Sequence, residues 1–194
     1  PKLFRFIAEA YYKDMWDLIS YEIDNVKIRY SGENDAIGRV YGLDMRLNGE
    51  LVPGAESWIN LSLLRAQESL TDVQHIDRYL EGDEIVEEEL DYVPRPTNQF
   101  LSFSMFLQDY LPQNENFKVH VQFTLGSGLP YGVRGRNKVV RNNLKFNTYH
   151  RTDIGFSALL WDESWKKKKP LHPLRWMKST WLSLEVFNLM DKSN

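Results

Sequence analysis

The side chains that could do chemistry in this chain are four histidines and two stretches of charge. His75, His120, His150 and His172 fall in different segments, and none stands at a metal-ligand spacing such as HExxH. No GxSxG elbow, phosphate-binding loop or dinucleotide fingerprint is present, and cysteine is absent, which removes thiolate metal sites, thiol nucleophiles and disulfides together. The acidic run "EGDEIVEEELD", residues 81 to 91, lacks the alternating Asp/Asn ligands and central Gly of a calcium loop and reads as a solvated charge run. The segment from Ser127 to His150 is basic, with Arg134, Arg136, Lys138, Arg141 and Lys145. These patterns predict no enzyme, no cofactor, no metal and no nucleic-acid partner. Substrate-binding residues are not assigned by the sequence. They leave two charged segments that either attract each other, meet an anionic partner, or are solvated independently.

The elements that position these residues are strands. Period-two alternation recurs along the chain with turn chemistry between the runs, while helical periodicity is nearly missing. The clearest run is 117 to 125: Phe117, Val119, Val121, Phe123 and Leu125 share one face, and Lys118, His120, Gln122 and Thr124 the other. Similar runs at about 2 to 13, 21 to 31, 36 to 51, 57 to 69, 98 to 110, 151 to 160 and 178 to 189 complete an expected set of eight strands. No apolar run approaches the eighteen residues of a spanning helix, so any membrane role falls to strands.

The connections alternate in length. After the first, third, fifth and seventh runs come "KDMWDLIS", "LVPGAES", "LPQNEN" and "WDESWKKKKPLHPLRWM"; the others are "SGEND", Leu70 to Asn98 and Ser127 to His150. Successive connections of an up-and-down meander lie at opposite ends, so one end is mostly short-turned and the other carries long loops, as in outer-membrane barrels. The seventh connection is longer than that rule prefers. Trp16, Trp58, Trp161, Trp165, Trp176 and Trp181, joined by Tyr11, Tyr12 and Tyr110, all map to the short-turn end, where an aromatic girdle would sit.

One face of the runs is polar: Gly38, Gly42, Asp44, Arg46 and Asn48; Asn60 and Ser62; Lys118, His120 and Gln122; Arg151, Asp153, Gly155 and Ser157. The other is uncharged: Tyr41, Leu43, Met45 and Leu47; Ile59, Leu61 and Leu63; Leu101, Phe103, Met105 and Leu107; Ile154, Phe156, Ala158 and Leu160. Four such positions per strand approach the apolar height of about 25 Å in membrane barrels. A soluble eight-stranded barrel with its apolar faces lining a ligand cavity is the alternative.

The terminal "EVFNLMDKSN" resembles the asparagine-leucine-aspartate signature on the penultimate strand of TonB-dependent outer-membrane receptors. "YEIDNVKIRYSGENDAIGRVYGLDMRLNGELVPGAESWINLSL", "YVPRPTNQ", "LQDYLP", "GSGLPYG" and "RTDIGFSALLW" are similar, in the same order, to barrel segments of the Bacteroidetes branch of that family. The resemblance implies an all-β fold, an antiparallel up-and-down transmembrane β-barrel segment forming part of a twenty-two-stranded barrel. Residues 1 to 194 would be one partial barrel domain, with the plug domain and one further strand elsewhere in a longer protein. It implies active uptake of a siderophore, cobalamin or glycan across the outer membrane of a Gram-negative bacterium. The implied partners are membrane lipid, TonB through a segment not in this sequence, and an external nutrient. In that setting the anionic partner of the basic loop would be lipopolysaccharide or substrate, and Lys166 to Lys169 beside Trp165 would meet the headgroup zone on the periplasmic side. Leu184 and Val186 would face lipid, and Glu185 and Phe187 the lumen.

Overall fold

A computed structural model describes residues 4–24, 27–52, 54–132 and 140–191. In chain order its strands are β1 (Phe4–Asp24), β2 (Lys27–Val52), β3 (Ala55–Leu70), β4 (His75–Glu81), β5 (Glu84–Leu90) and β6 (Val93–Pro94). They continue as β7 (Leu101–Leu111), β8 (Asn114–Gly126), β9 (Pro130–Tyr131), β10 (Leu144–Lys145), β11 (Tyr149–Asp162) and β12 (Ser179–Val186). A single 3-10 turn, Glu163–Trp165, is capped by the Asp162 carboxylate, which accepts from the Ser164 N–H. No helix among the described residues is long and apolar enough to cross a membrane, which says nothing of strands.

The main sheet is an antiparallel meander of eight strands in the order β1-β2-β3-β7-β8-β11-β12, with two-residue β6 pairing to β3. It is open, with β1 and β12 as its edges. β4 and β5 form a separate hairpin, and β9 pairs with β10. Short turns follow β2, where Gly54 has φ 80°, and β7, where Gln113 has φ 64°. The longer connection 163–178 lies at the same end; residues 71–100 and 127–148 lie at the other.

The first two expected strands are redrawn. "KDMWDLIS" is not a turn: β1 runs straight through it, and register shifts between Met15 and Tyr21 take up the surplus residues. "SGEND" likewise lies inside β2. Asp17 and Gly32, with φ 50° and 83°, supply the left-handed backbone that such irregularities need. A bulge breaks period two just as a turn does, which is why the sequence pattern split here. The chain reverses instead between Asp24 and Lys27, which pair with each other. β1 therefore runs opposite to the expected direction, the strand expected at 21 to 31 straddles the reversal, and the six that follow keep their directions.

The tryptophan pattern changes with it. Trp16 lies near the long-connection end, beside Met15, which pairs with Gly38; Tyr11 and Tyr12 stand opposite Gly42 and Tyr41, well away from the short turns. Trp58 and Trp181 are at the short-turn end but on the polar face, where Trp58 stacks on Phe106 and Trp181 lies 4.7 Å beneath the Lys118 ammonium. Trp161 is wholly buried, its indole N–H donating to the Met177 carbonyl and its ring stacked on His172. The expected girdle of six is thus not a single outward ring.

The two faces are as the alternation predicts. Register aligns Leu47, Ile59, Met105 and Phe123 across β2, β3, β7 and β8, and Leu107, Val121, Ile154 and Val186 across β7, β8, β11 and β12. On the opposite face, glycines make room for their neighbours: a Cβ on Gly155 would overlap the His120 ring, and one on Gly42 the Tyr11 ring. Flat contact of a ring over a strand glycine restores the cover that the missing side chain removes.

The apolar face is left largely uncovered, and on β11 the polar face is the better buried of the two. Among the described residues, the buried set is Ala36, Ala55, Ala66, Leu70, Val93 and Trp161 against nine polar or charged residues, Glu68, Arg141 and Asp153 among them. On β11, Phe156 is 40% exposed while Asp153 and Ser157, on the other face, are 6% and 7% exposed. No second layer covers the apolar face among the described residues.

Candidate functional site

The residues that converge most closely lie at the long-connection end. β3 ends at Leu70, opposite Ala36 of β2, so the β1–β2 hairpin projects past it as a two-stranded ribbon. Bulges bend this ribbon, and one carboxylate holds the bend: Asp35 accepts from the Ser20 N–H at 2.9 Å, the Ser20 hydroxyl at 2.9 Å and the Ser31 hydroxyl at 3.1 Å. Burial of Asp35 pushes its pKa up, but these three donors outweigh it and leave the carboxyl below its ordinary 3.8. The Asp35 carbonyl accepts from the Thr71 N–H, tying the ribbon to the end of β3.

Beneath the ribbon sits an ionic cluster. The Arg141 Nε donates to Glu68 Oε1 at 2.7 Å, and both side chains are 1% exposed. Arg141 Nη2 donates to the Tyr21 carbonyl at 2.7 Å, and its Nη1 stands 3.8 Å from Glu22. Arg95 Nε lies 3.3 Å from the other Glu68 oxygen, as an ion pair rather than an aligned hydrogen bond. Asn142, at φ 51°, donates to the Pro94 carbonyl. Two long connections are thereby stapled to β3 and to the ribbon through one buried carboxylate.

Ribbon, β3 end and Arg141 enclose an open cleft of about 560 Å³ lined by Tyr21, Glu22, Arg29, Tyr30, Glu33 and Asp35 among others. The Tyr21 and Tyr30 rings form a tilted pair 5.8 Å apart. Charges of both signs and two phenol rings suit capture of a polar molecule by hydrogen bonds and ring contact. A second, shallower trough of about 400 Å³ lies on the polar face among Glu9, Asp44, Arg46, Asn60, Ser62 and Ser104. No group of three or more potential metal ligands occurs among the described residues.

The sequence singled out charges that the structure distributes differently. Arg141 pairs with Glu68 and Glu22, and the acidic residues form the β4–β5 hairpin, where Arg78 pairs with Glu87 at 2.7 Å. Arg134, Arg136 and Lys138 lie outside the described residues; Lys145, in β10, is exposed. Lys169 stands 4.5 Å over the Trp165 ring, so that basic-aromatic pair does form. The histidines stay apart: His75 accepts from the Leu70 N–H, His120 packs between Phe106 and Gly155 with Glu185 at 3.6 Å, and His172 covers Trp161. The sequence patterns assign no site role to Glu68, Arg95 or Tyr21. A lone Glu inside the alternating "LSLLRAQESL" was the available signal.

The terminal motif hooks back on β11: the Asn188 N–H donates to the Asp153 carboxylate at 2.8 Å and the Leu189 N–H to the Thr152 carbonyl at 2.8 Å. Arg151 donates to Asp153 from Nε and Nη2 and lies 5.2 Å over the Phe187 ring. No family model, curated protein or solved structure matches this chain.

Proposed function

We propose that this chain forms part of the wall of an outer-membrane β-barrel of the TonB-dependent receptor kind and acts in the active uptake of a nutrient. In this reading the apolar face of the sheet meets lipid and the polar face meets a hydrated lumen. The long connections face outward, and their cleft among Tyr21, Tyr30, Arg29 and Glu33 contributes to capture of the external ligand. The energy would come from the inner membrane through TonB, acting on parts of the receptor outside this sequence. Transport lies along the face that carries Asp44, Arg46, Asn60 and Gln122.

The observation that carries the reading is an apolar sheet face without cover, together with the buried polar face of β11. Phe156, Leu182, Leu184 and Val186 are 40 to 71% exposed on one face while Asp153 and Ser157 are buried on the other. In water this arrangement forfeits about 25 cal/mol for every Å² of apolar surface left uncovered. Against lipid tails the same arrangement is favourable, and the polar groups then pair among themselves. The ordered motifs and the division into short-turned and long-looped ends support the same reading.

Because the chain has no cysteine, single-cysteine variants give a clean test. Met105→Cys and Ser104→Cys place a polarity-sensitive dye on opposite faces of β7. In lipid vesicles the dye at position 105 should report hydrocarbon and the dye at 104 water. A protein that is monodisperse in plain buffer, with the dye at 105 shielded inside it, would instead be a soluble binding module. As an energetic counterpart, Met105→Lys should cost about 2–4 kcal/mol in lipid, and Ser104→Lys much less.

A further inference from the structure

The charged residues that border the apolar face are placed unevenly. Residues 39, 41, 43, 45 and 47 of β2 share that face, as do 59, 61, 63 and 65 of β3, and the β2–β3 register is unshifted from Ala36 to Glu50. Arg39 and Arg65 therefore stand on the apolar face next beyond Tyr41 and Leu63, toward the long connections. Arg39 pairs with Gln67 and Tyr41 with Arg65, which makes the two arginines diagonal neighbours about 7–8 Å apart along the sheet.

Both guanidinium groups are braced by rings. Arg39 lies 4.0 Å over Tyr92 and donates its Nε to Gln67 at 2.9 Å; Arg65 lies 5.1 Å over Phe100. Tyr12 and Tyr41 stack beside them at 6.3 Å, and Asp14, the cross-strand partner of Arg39 on this face, accepts from the Tyr12 hydroxyl at 2.8 Å. Among the described residues neither arginine has a carboxylate within salt-bridge distance. Two cations thus stand at the border of an uncovered apolar surface, with aromatic rings of interfacial type around them. A guanidinium fork matches two oxygens of a phosphate, and ring contact lowers the entropy lost when that contact forms.

We propose that Arg39 and Arg65 form a binding site for the phosphate of a membrane-lipid headgroup, with the acyl chains lying down the apolar face over Leu43, Met45, Leu61 and Leu63. The site rests on the reading of that face as lipid-facing. It fixes the depth of the sheet in the bilayer, since the arginines must sit at phosphate level and the leucines below it.

The test uses protein folded in a neutral detergent, with diphosphorylated lipid A, the same lipid stripped of its phosphates, and inorganic phosphate as probes. Native mass spectrometry should find the phosphorylated lipid retained about tenfold more strongly than the stripped one. The double variant Arg39→Gln/Arg65→Gln should erase that preference. Arg46→Gln, on the other face of β2, should leave it intact, with circular dichroism unchanged in each. Equal retention by the double variant, or equal binding of both lipids by the parent protein, would overturn the site. Binding of inorganic phosphate as strong as that of the lipid would overturn the lipid as occupant. A hydrocarbon signal from the dye at position 105 alongside any of these keeps the lipid-facing reading and rejects the rim alone; a water signal there rejects both.

Discussion

The Glu68–Arg141 pair offers the sharpest energetic test of how the long connections are held. Arg141→Met keeps much of the side-chain length and removes the charge. It deletes the 2.7 Å bond to Glu68 and the 2.7 Å bond to the Tyr21 carbonyl. A hydrogen bond to a charged group is worth about 1.5–3 kcal/mol, and breaking a buried pair from one side about 3–5 kcal/mol, because the remaining charge stays desolvated. Arg95, 3.3 Å from the other Glu68 oxygen, offsets part of this, so about 3 kcal/mol is expected. Glu68→Gln with Arg141→Met should restore about 1.5 kcal/mol or more of the sum of the single effects. Denaturant titration of the four proteins gives the cycle, and hydrogen exchange at Asn142 and Arg95 locates the loss in the stapled connections. If the single effects add within about 0.5 kcal/mol, or if exchange rises in the β7–β8 turn as much as at Asn142, the staple does not exist as described.

Two further outcomes follow from particular contacts. Gly155→Val must displace the His120 ring, so it should cost about 1–3 kcal/mol by denaturant titration, and His120→Ala in the same chain should recover most of that. Asp35 carries a depressed pKa in the folded protein, so its contribution is fully present above about pH 4 and is lost as pH falls through the lower folded value. With the intrinsic pH dependence of amide exchange divided out, the protection of the Ser20 amide should fall on acidification from pH 5 to pH 3 in the parent chain, and Asp35→Asn should remove that pH dependence of the protection.

Most of the sheet is legible in the sequence because period two is a local property. The alternation of Phe117 to Leu125 needs no partner to be seen, and β8 pairs as that pattern requires, with Val121 between Leu107 and Ile154. Alternation in "LSLEV" likewise puts Leu184 and Val186 on one face and Glu185 on the other; β12 carries Leu184 and Val186 opposite Phe156 and Ile154. The β1–β2 ribbon departs from the sequence pattern for an equally local reason. Its bulges imitate turns, whereas its reversal between Asp24 and Lys27 lacks the Asn-Gly or Asp-Gly signal of a tight hairpin.

What the sequence by itself determined is which residues share a face, since alternation and turn chemistry act over a few neighbours. Tertiary structure alone decided which face is more exposed, that Glu68 meets Arg141 across 73 residues, and that Arg39 and Arg65 stand together over Tyr92 and Phe100. Those outcomes depend on strand register and on where long connections fold back, and a one-residue slip of β2 or β3 would send Arg39, or Arg65 and Glu68, to the other side of the sheet.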